Sequence, residues 1–342
     1  MYIGSDAFVP AVGREASKTL FKKSVLRVEI ETHSYCNRRC PYCPNAVGDR
    51  LGENVRMEEA TWQRILSDLA EIGYASHVVF NSYNEPLADP MIMQRIREAR
   101  AALPAASLQI YSNGDYLKAA MVDELAAAGL TALNISVHLG PNEKYGDLLM
   151  LNKFAALMVR IGRAVRFENV AVGKWVVATV PHPNLKIEMR GVNYFQEGNR
   201  RGDLVSSVKL PAPRTAPCYF PFAHFYVGYG GNIVPCCHIR SDAAAHQPYV
   251  IGNVRDFGSI FEAFASERAV AWRRHLISLE EKKEPCRSCS VSFLSAKPED
   301  LDRLRKIHRE QVLDRPLPGE ERSGDPGAET PTGPPGHPRS IG

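Results

Sequence analysis

Short apolar runs and amphipathic runs alternate along the chain from about residue 25 to residue 180. The short runs are rich in β-branched and apolar residues and predict strands at 26–31 (LRVEIE), 77–80 (HVVF), 107–112 (SLQIYS), 132–138 (ALNISVH) and 170–180 (VAVGKWVVATV). Apolar residues at helical spacing between these runs predict helices at 58–73, 91–103, 116–129 and 147–164. This order predicts parallel strands joined by right-handed crossovers.

The number of strand–helix units approaches six before the composition changes near residue 211. We therefore expect an α/β fold that closes partially, like an incomplete TIM barrel, because eight units do not fit in this length. In such folds the chemistry collects at the carboxyl ends of the strands. The loop after the first predicted strand, HSYCNRRCPYCPN (33–45), lies at that end.

A different pattern follows the predicted barrel. The proline-rich stretch 209–221 predicts a hinge, 224–237 (HFYVGYGGNIVPCC) predicts a β-hairpin, and 258–278 predicts a helix that leads to PCRSC at 285–289. These elements predict a small α+β domain. The expected organisation is an N-terminal extension (1–24), a barrel (25–210), a small domain (211–297), a helix (298–313) and a disordered tail (314–342).

Composition and charge exclude several classes of protein. The chain has 342 residues, of which 44% are hydrophobic and 23% charged, as in an ordinary soluble protein. It contains no apolar run long enough for a transmembrane helix and no signal-peptide core at its N-terminus, so we expect a cytoplasmic protein without a membrane partner. A net charge of +4 without a lysine or arginine block gives no indication of nucleic-acid binding.

The eight cysteines fall into two separated groups, which suggests two metal sites in a cytosolic chain. Cys36, Cys40 and Cys43 form a C-x-x-x-C-x-x-C spacing. A structural zinc site needs a fourth ligand, for which His33 is close in sequence. Thiolates also favour iron–sulfur clusters, and three of them would leave one iron of a 4Fe–4S cluster open. From the residues alone, both interpretations stay open.

This cysteine loop resembles that of the radical S-adenosylmethionine superfamily, whose core is a partial (βα)6 barrel. Tyr42 occupies the aromatic position of the family's motif. The resemblance implies a 4Fe–4S cluster on Cys36, Cys40 and Cys43, with S-adenosylmethionine on its open iron. It also implies cleavage of S-adenosylmethionine to a 5′-deoxyadenosyl radical, started by an external donor such as flavodoxin or ferredoxin.

Further segments at strand ends resemble the family's cofactor-binding motifs. The segment 83–86 (YNEP) is similar to its G-G-E element, in which the carboxylate binds the amino group of the cofactor, and 112–114 (SNG) is similar to its T-N-G turn. The usual glycines are replaced by Tyr83 and Asn84. The cofactor-binding residues that the resemblance implies are Tyr42, Asn84, Glu85, Ser112, Asn113, Ser136 and His138.

The second cysteine group is Cys218, Cys236, Cys286 and Cys289, spaced C-x17-C-x49-C-x-x-C. Four thiolates can close a structural zinc site. The segment also resembles the SPASM/twitch extension of radical S-adenosylmethionine enzymes. That resemblance implies one fully ligated auxiliary 4Fe–4S cluster, and hence two clusters in the chain.

The expected activity is the oxidation of a secondary alcohol on a small hydroxylated substrate, an aminoglycoside or aminocyclitol, with the auxiliary cluster as electron acceptor. The arrangement resembles the dehydrogenases and epimerases of this superfamily that modify such substrates. The alternatives are epimerisation with Cys237 as hydrogen donor, peptide modification, and a non-catalytic iron–sulfur or zinc protein. Because only 35 residues precede Cys36, where peptide-modifying relatives usually carry a leader-recognition domain, a peptide substrate is less favoured.

The base that removes the hydroxyl proton is not identified by the sequence. Residues near strand ends or domain junctions are candidates, and histidine is the usual choice near neutral pH. The candidates are Tyr83, His138, His182, Arg190 and His224, and Arg200 and Arg201 are candidate substrate contacts.

Overall fold

The β-strands form a single sheet in the computed structural model, which describes residues 2–48, 50–291 and 306. The strands are β1 (Arg27–Ile30), β2 (His77–Val79), β3 (Ser107–Ser112), β4 (Ala132–Ser136), β5 (Arg166–Ala171), β6 (Trp175–Val180), β7 (Lys186–Val192), β8 (His224–Val227), β9 (Asn232–Val234) and β10 (Gly252–Asn253).

Helices cover the outer face of the sheet. They are α1 (Arg14–Ser24), α2 (Glu59–Glu71), α3 (Ile92–Ala102), α4 (Ala119–Ala127), α5 (Asp147–Ile161), α6 (Tyr194–Glu197), α7 (Phe220–Ala223), α8 (Ile260–Phe264) and α9 (Glu267–Ile277). Each of the longer helices buries one apolar stripe; α2, for example, buries Trp62, Ile65 and Leu69. In the described residues, no helix is both long and apolar enough to cross a membrane.

The strand order is β10-β9-β8-β1-β2-β3-β4-β7-β6-β5. The six central strands, from β8 to β7, pair in parallel, and antiparallel pairs lie at both edges. The predicted α/β fold is confirmed, with a sheet dominated by parallel strands. The carboxyl ends of the parallel strands share one edge, so the loops that follow them meet there.

The sequence prediction was wrong around residues 170–180, where it placed a single strand. The structure has an antiparallel hairpin there, β5 and β6, which turns at Gly173 with a positive φ of 74°. The fifth strand parallel to the central sheet is β7, which the sequence analysis did not predict. Its apolar alternation is short: Ile187 and Met189 are buried, whereas Glu188 is half-buried and Arg190 is exposed.

The predicted hinge near residue 211 does not separate the sheet into two. Strand β8 pairs in parallel with β1, with Val28 opposite Phe225, so the predicted hairpin extends the central sheet. Phe21 of α1 packs against Phe225, Phe261 and Phe264 with ring centroids 5.3–5.5 Å apart. The free edge of β1 requires a hydrogen-bonding partner, and β8 supplies it. The division of the chain into domains stays a prediction.

Two further expectations concern the C-terminal part. The helix predicted at 258–278 is divided into α8 and α9, because Ser266 caps α9 through a hydrogen bond from the Ala269 N–H to its hydroxyl (3.4 Å). The helix predicted at 298–313 and the tail predicted at 314–342 lie outside the described residues, apart from residue 306.

Candidate active site

The first cysteine group lies in the loop after β1, at the carboxyl edge of the sheet. Cys36 and Cys40 are buried and Cys43 is half-buried, and all three are free thiols that line a cavity of about 450 Å³. The Cys43 N–H donates to the Cys40 carbonyl (2.9 Å), which forms a tight turn between the two thiols. Burial raises the pKa of Cys36 to about 12 and that of Cys40 to about 11.

A buried ionic network holds this loop against the rest of the sheet. The Arg50 guanidinium donates to the Glu31 carboxylate (2.9 Å) and to the Ser34 carbonyl (2.8 Å), and it forms an ion pair with Asp242 (3.0 Å). Arg240 binds the same Asp242 carboxylate (2.8 Å) and donates to the Pro44 carbonyl beyond Cys43 (2.9 Å). The loop is thereby tied to both β1 and the segment after β9.

His33, the fourth ligand that a zinc site would need, is already engaged. Its Nδ1 lies 2.9 Å from the side-chain oxygen of Asn54, and its Nε2 lies 3.2 Å from the Glu85 carbonyl oxygen. The side chain is fully buried. His33 therefore braces the loop in this structure and does not join the three thiols.

Arg38, in the cysteine loop, forms an ion pair with the Asp115 carboxylate. Its guanidinium donates two hydrogen bonds of 2.6 Å to Asp115, which also accepts one from the Asn37 amide (2.7 Å). Burial by itself would raise the pKa of Asp115, but the hydrogen bonds and charge of Arg38 outweigh it and lower that pKa. The contact joins the cysteine loop to the turn after β3.

The structure brings most of the predicted cofactor-binding residues to the same cavity. Those that line it are Tyr42, Asn84, Ser112, Asn113, Ser136 and His138. Neighbouring wall residues that the sequence analysis did not single out are Asn45, Asn81, Ser82 and Tyr194. Asn45 and Ser82 adjoin the motifs, whereas Tyr194 carries no motif and is recognisable only as the first residue of α6, after β7.

Glu85 is the exception among the predicted cofactor-binding residues. Its carboxylate lies behind the cavity wall, where it accepts hydrogen bonds from the Ser112 hydroxyl (2.6 Å) and from the backbone N–H groups of Asn113 (2.7 Å) and Leu87 (3.0 Å). Burial raises its pKa to about 7, against the lowering effect of these donors. In this conformation Glu85 positions the turn after β3 and does not line the cavity.

Three rings form one side of the cavity. The ring centroids of Tyr42 and Tyr194 are 4.9 Å apart, and His138 lies 5.8 Å from both. The Tyr42 hydroxyl is 3.2 Å from Nδ1 of His138. Surrounding protein desolvates His138 and, with the charge of Arg38, lowers its pKa to about 4, so its imidazole is neutral near pH 7.

A further part of the cavity wall comes from the segment 197–201 and from residues beside the second cysteine group. Arg201 has a positive φ of 53°, unusual for a side chain of its size, and donates a 2.8 Å hydrogen bond to Nδ1 of His238. Glu197, Asn199 and Ser290 also line this wall. Arg200, in contrast, binds Asp203 and the Val208 carbonyl outside the cavity. Of the two arginines predicted as substrate contacts, only Arg201 lines the cavity.

The second group consists of four free thiols near one another. Cys218 and Cys236 are buried, and Cys286 and Cys289 are half-buried. Burial raises the pKa of Cys218 to about 11, and the other thiols of the group also raise the pKa values of Cys236 and Cys286. The Asn199 amide donates to Sγ of Cys289 (3.3 Å), which connects this group to the cavity wall.

The side chains of both groups fit iron–sulfur clusters. In the described part of the chain, no three His, Cys, Asp or Glu side chains are grouped as a single metal ion would require. A 4Fe–4S cluster needs no such convergence, because each thiolate binds a different iron. None of the eight cysteines forms a disulfide bond, and N–H groups reach several of their sulfurs, as in the hydrogen bond from Asn199.

Cys237 is placed apart from the cavity. It is not among the wall residues, and it packs beside the Tyr226 hydroxyl and the Glu29 carboxylate. Burial raises its pKa to about 12. A hydrogen donor has to reach the substrate carbon, so this position does not support the predicted donor role of Cys237.

Only some of the candidate bases line the cavity. Tyr83 and His138 line the cavity. His182 contacts Asp123 (3.0 Å), Arg190 pairs with Glu188 (3.0 Å), and His224 lies 2.7 Å from the Tyr226 hydroxyl, all outside the cavity wall. Only the first two remain candidates.

Residues 30–171 match the Radical SAM superfamily, and residues 218–290 match SPASM, an iron–sulfur cluster-binding domain. The chain is similar to the S-adenosyl-L-methionine-dependent 2-deoxy-scyllo-inosamine dehydrogenase of Niallia circulans, with 23% identity over 77% of this chain and 92% of that protein. It is also similar to the GTP 3′,8-cyclase of Chlorobaculum tepidum, with 29% identity over 56% of this chain and 57% of that protein.

Among solved structures, the chain is similar to BtrN in complex with AdoMet and 2-DOIA. The TM-score is 0.54 at 20% identity, over 74% of this chain and 87% of that chain, which shows a shared fold. The two matched domains coincide with the two cysteine groups: Cys36, Cys40 and Cys43 lie in the first, and Cys218, Cys236, Cys286 and Cys289 lie in the second. The chain therefore contains a Radical SAM superfamily domain, at residues 30–171, and a C-terminal SPASM iron–sulfur cluster-binding domain, at residues 218–290.

Proposed function

We propose that this chain oxidises a secondary alcohol of an amino sugar or aminocyclitol to a ketone by radical chemistry. The observation that carries the proposal is that one cavity is lined both by the first cysteine group and by residues next to the second. Cys36, Cys40 and Cys43 line it, and so do His238 and Ser290, which are close in sequence to Cys236 and Cys289. The similarity to a dehydrogenase that acts on 2-deoxy-scyllo-inosamine, over most of both chains, supports the same substrate class.

The family's domains imply S-adenosylmethionine and two 4Fe–4S clusters. Cys36, Cys40 and Cys43 would hold the first cluster, and the second group of four cysteines would hold the auxiliary cluster. When bound, these groups supply a hydrogen-abstracting 5′-deoxyadenosyl radical and an acceptor for one electron. An external one-electron donor, such as flavodoxin or ferredoxin, would start each cycle.

The chain's own residues divide into two functional sets. Tyr42, Ser112, Asn113, Ser136 and His138 line the cavity together with the first cysteine group and would hold S-adenosylmethionine. Asn84 also lines the cavity. The rings of Tyr42, Tyr194 and His138 exclude water from this side, which protects a reactive radical from side reactions.

The part of the wall formed by Glu197 and Arg201 suits a hydroxylated amine. Glu197 is the one acidic side chain among the described residues that line the cavity, and a carboxylate there attracts an ammonium group. The Arg201 guanidinium lines the same cavity and can donate hydrogen bonds to hydroxyl oxygens. We propose that Glu197 binds the substrate's amine and that Arg201 orients the hydroxyl to be oxidised.

The test is a product analysis with anaerobically reconstituted protein, S-adenosylmethionine and a strong reductant. A panel of aminocyclitols and aminoglycosides is examined by mass spectrometry in deuterated water. We expect 5′-deoxyadenosine together with a product that has lost two hydrogen atoms. A product of unchanged connectivity that gains solvent deuterium would establish epimerisation instead, and modification of an added peptide alone would overturn the substrate class.

A further inference from the structure

Two buried cations lie beside the second cysteine group. Lys282 has 1% of its surface exposed and Arg214 has 6%. One guanidinium nitrogen of Arg214 is 3.6 Å from Sγ of Cys289, and the charge of Lys282 acts on Cys218 and Cys286. Burying an unpaired charge is costly, so the presence of two such cations at one place requires an explanation.

The hydrogen-bond partners of these cations are almost all backbone carbonyls. Arg214 donates to the carbonyls of Ala216 (2.8 Å), Pro217 and Val291. Lys282 donates to the carbonyls of Ser278 (2.6 Å), Glu280 (2.7 Å) and Thr215 (3.3 Å), and to the Ser278 hydroxyl (3.0 Å). Within residues 2–48 and 50–291, neither cation forms an ion pair with a carboxylate. Neither positive charge is therefore in direct contact with an acidic side chain of this part of the chain.

The backbone fixes both cations in place. The Arg214 N–H donates to the Arg287 carbonyl (2.9 Å), and the Lys282 N–H donates to the Arg214 carbonyl (2.8 Å). The Cys218 N–H donates to the Leu276 carbonyl (2.8 Å). Residues 214–218 thus run along the 276–291 segment that carries Cys286 and Cys289, so the cations and the thiols belong to one rigid unit.

We infer that Arg214 and Lys282 are positioning residues that raise the reduction potential of the auxiliary cluster and thereby make it an electron acceptor. A cluster held by four thiolates is negatively charged and becomes more so when reduced. Fixed positive charge nearby stabilises the reduced state, and net charge and hydrogen bonds to the sulfurs are established determinants of cluster potential. The Asn199 hydrogen bond to Cys289 acts in the same direction.

This inference rests on the proposed function, because only an oxidation needs the acceptor. After hydrogen abstraction, the substrate carbon bears an unpaired electron and the hydroxyl loses its proton to a base. One electron then passes to the auxiliary cluster as the C=O double bond forms, so the substrate has lost two protons and two electrons in all: one of each as the abstracted hydrogen atom, one proton to the base and one electron to the cluster. A higher cluster potential makes this last transfer more favourable.

The test measures the potential directly and does not require a substrate. The full chain carries Cys36→Ala, Cys40→Ala and Cys43→Ala, so that only the auxiliary cluster is loaded, and its midpoint potential is determined by EPR-monitored titration. In this background we compare Lys282→Gln and Arg214→Gln with the charge-conserving Lys282→Arg and Arg214→Lys. Arg287→Gln is the matched control: it lies between Cys286 and Cys289, but its side chain is 55% exposed and paired with Glu281.

Each neutral variant is expected to reduce the equilibrium constant for accepting an electron by about tenfold or more, which corresponds to a potential lower by about 59 mV. The charge-conserving variants should stay near the unmodified potential, as should Arg287→Gln. Unchanged potentials at full iron content, or an equal shift in Arg287→Gln, would overturn the inference. So would loss of iron from both neutral variants, since the cations would then only hold the loop. None of these results depends on whether an alcohol is oxidised, so the proposed function is judged separately by its products.

Discussion

The Glu85 carboxylate accepts a 2.6 Å hydrogen bond from the Ser112 hydroxyl, which joins the loop after β2 to the end of β3. The same carboxylate binds the Asn113 N–H, and the Asn113 side chain donates to Asn37 in the cysteine loop (2.8 Å). Three loops that approach one cavity are therefore held together through a buried carboxyl group that does not itself line the cavity.

Replacing Glu85 with Gln should destabilise this connection. All three groups around the carboxylate are donors, so an amide NH2 in place of one oxygen leaves a donor facing a donor. We expect a loss of about 1–3 kcal/mol in the free energy of unfolding, measured by urea denaturation, together with weaker S-adenosylmethionine binding. Glu15→Gln, at a side chain that is 80% exposed, is the control and should change neither quantity. Wild-type stability in Glu85→Gln would contradict the bracing role.

Replacing Arg50 with Met should be more damaging. The substitution leaves the Glu31 and Asp242 carboxylates without their shared guanidinium, and removing one partner of a buried ion pair costs roughly 3–5 kcal/mol. The measurement is again urea denaturation, compared with Arg255→Met. Arg255 pairs with Glu58 on the surface, where such a pair contributes about 1 kcal/mol at most. Equal effects in the two variants would contradict a stabilising role for the network.

Glu29 should make stability depend on pH. Burial raises its pKa from 4.5 to about 7, against the opposing charge of Arg27. A carboxyl whose pKa is raised by folding binds its proton more tightly in the native state, so stability falls as pH rises from about 4.5 to about 7. The full fall is on the order of 3 kcal/mol. Between about pH 5.5 and about pH 7.5, the free energy of unfolding should decline less in Glu29→Gln than in the wild-type protein. An identical slope in both proteins would exclude this titration.

Replacing Cys237 with Ala should preserve oxidation. The thiol lies outside the cavity wall, so 5′-deoxyadenosine and ketone formation should remain within about twofold of wild type, a barrier difference below about 0.5 kcal/mol. Cys289→Ala is the informative comparison, because it should lose auxiliary iron and ketone formation together. Loss of turnover in Cys237→Ala at full iron content, with solvent deuterium in the wild-type product, would restore the epimerase alternative.

Replacing Glu197 with Gln tests recognition of the amine. We expect KM for an amine-bearing substrate to rise by about three- to tenfold with little change in kcat, since an ion pair at a partly exposed wall contributes about 1 kcal/mol. The N-acetylated form of the same substrate should show no difference between the two proteins. An unchanged KM for the amine-bearing substrate would mean that Glu197 does not bind the amine.

Much of this site is predictable from the sequence because its signals are local. The spacing of Cys36, Cys40 and Cys43, the polar turn 112–114, and the hairpin around Gly231 each depend on a few neighbouring residues. Strands β1 to β4 and helices α2 to α5 are likewise visible from apolar periodicity. The resemblance to the radical S-adenosylmethionine superfamily rests on these local motifs alone.

The remainder depends on pairings between distant residues, which periodicity does not encode. An apolar run at 170–180 is compatible with one strand or with a hairpin, and only the sheet decides that β6 pairs with β7 and that β8 extends the edge of β1. From the sequence, the carboxylate after β2 could face either a ligand or a neighbouring turn. Packing places the Glu85 carboxylate against the turn after β3, behind the cavity wall. The sequence by itself determined the local elements and the two thiol groups, because short-range spacing specifies them. The tertiary structure decided which side chains meet across the cavity, because hydrogen-bond partners and burial arise only when remote segments come together.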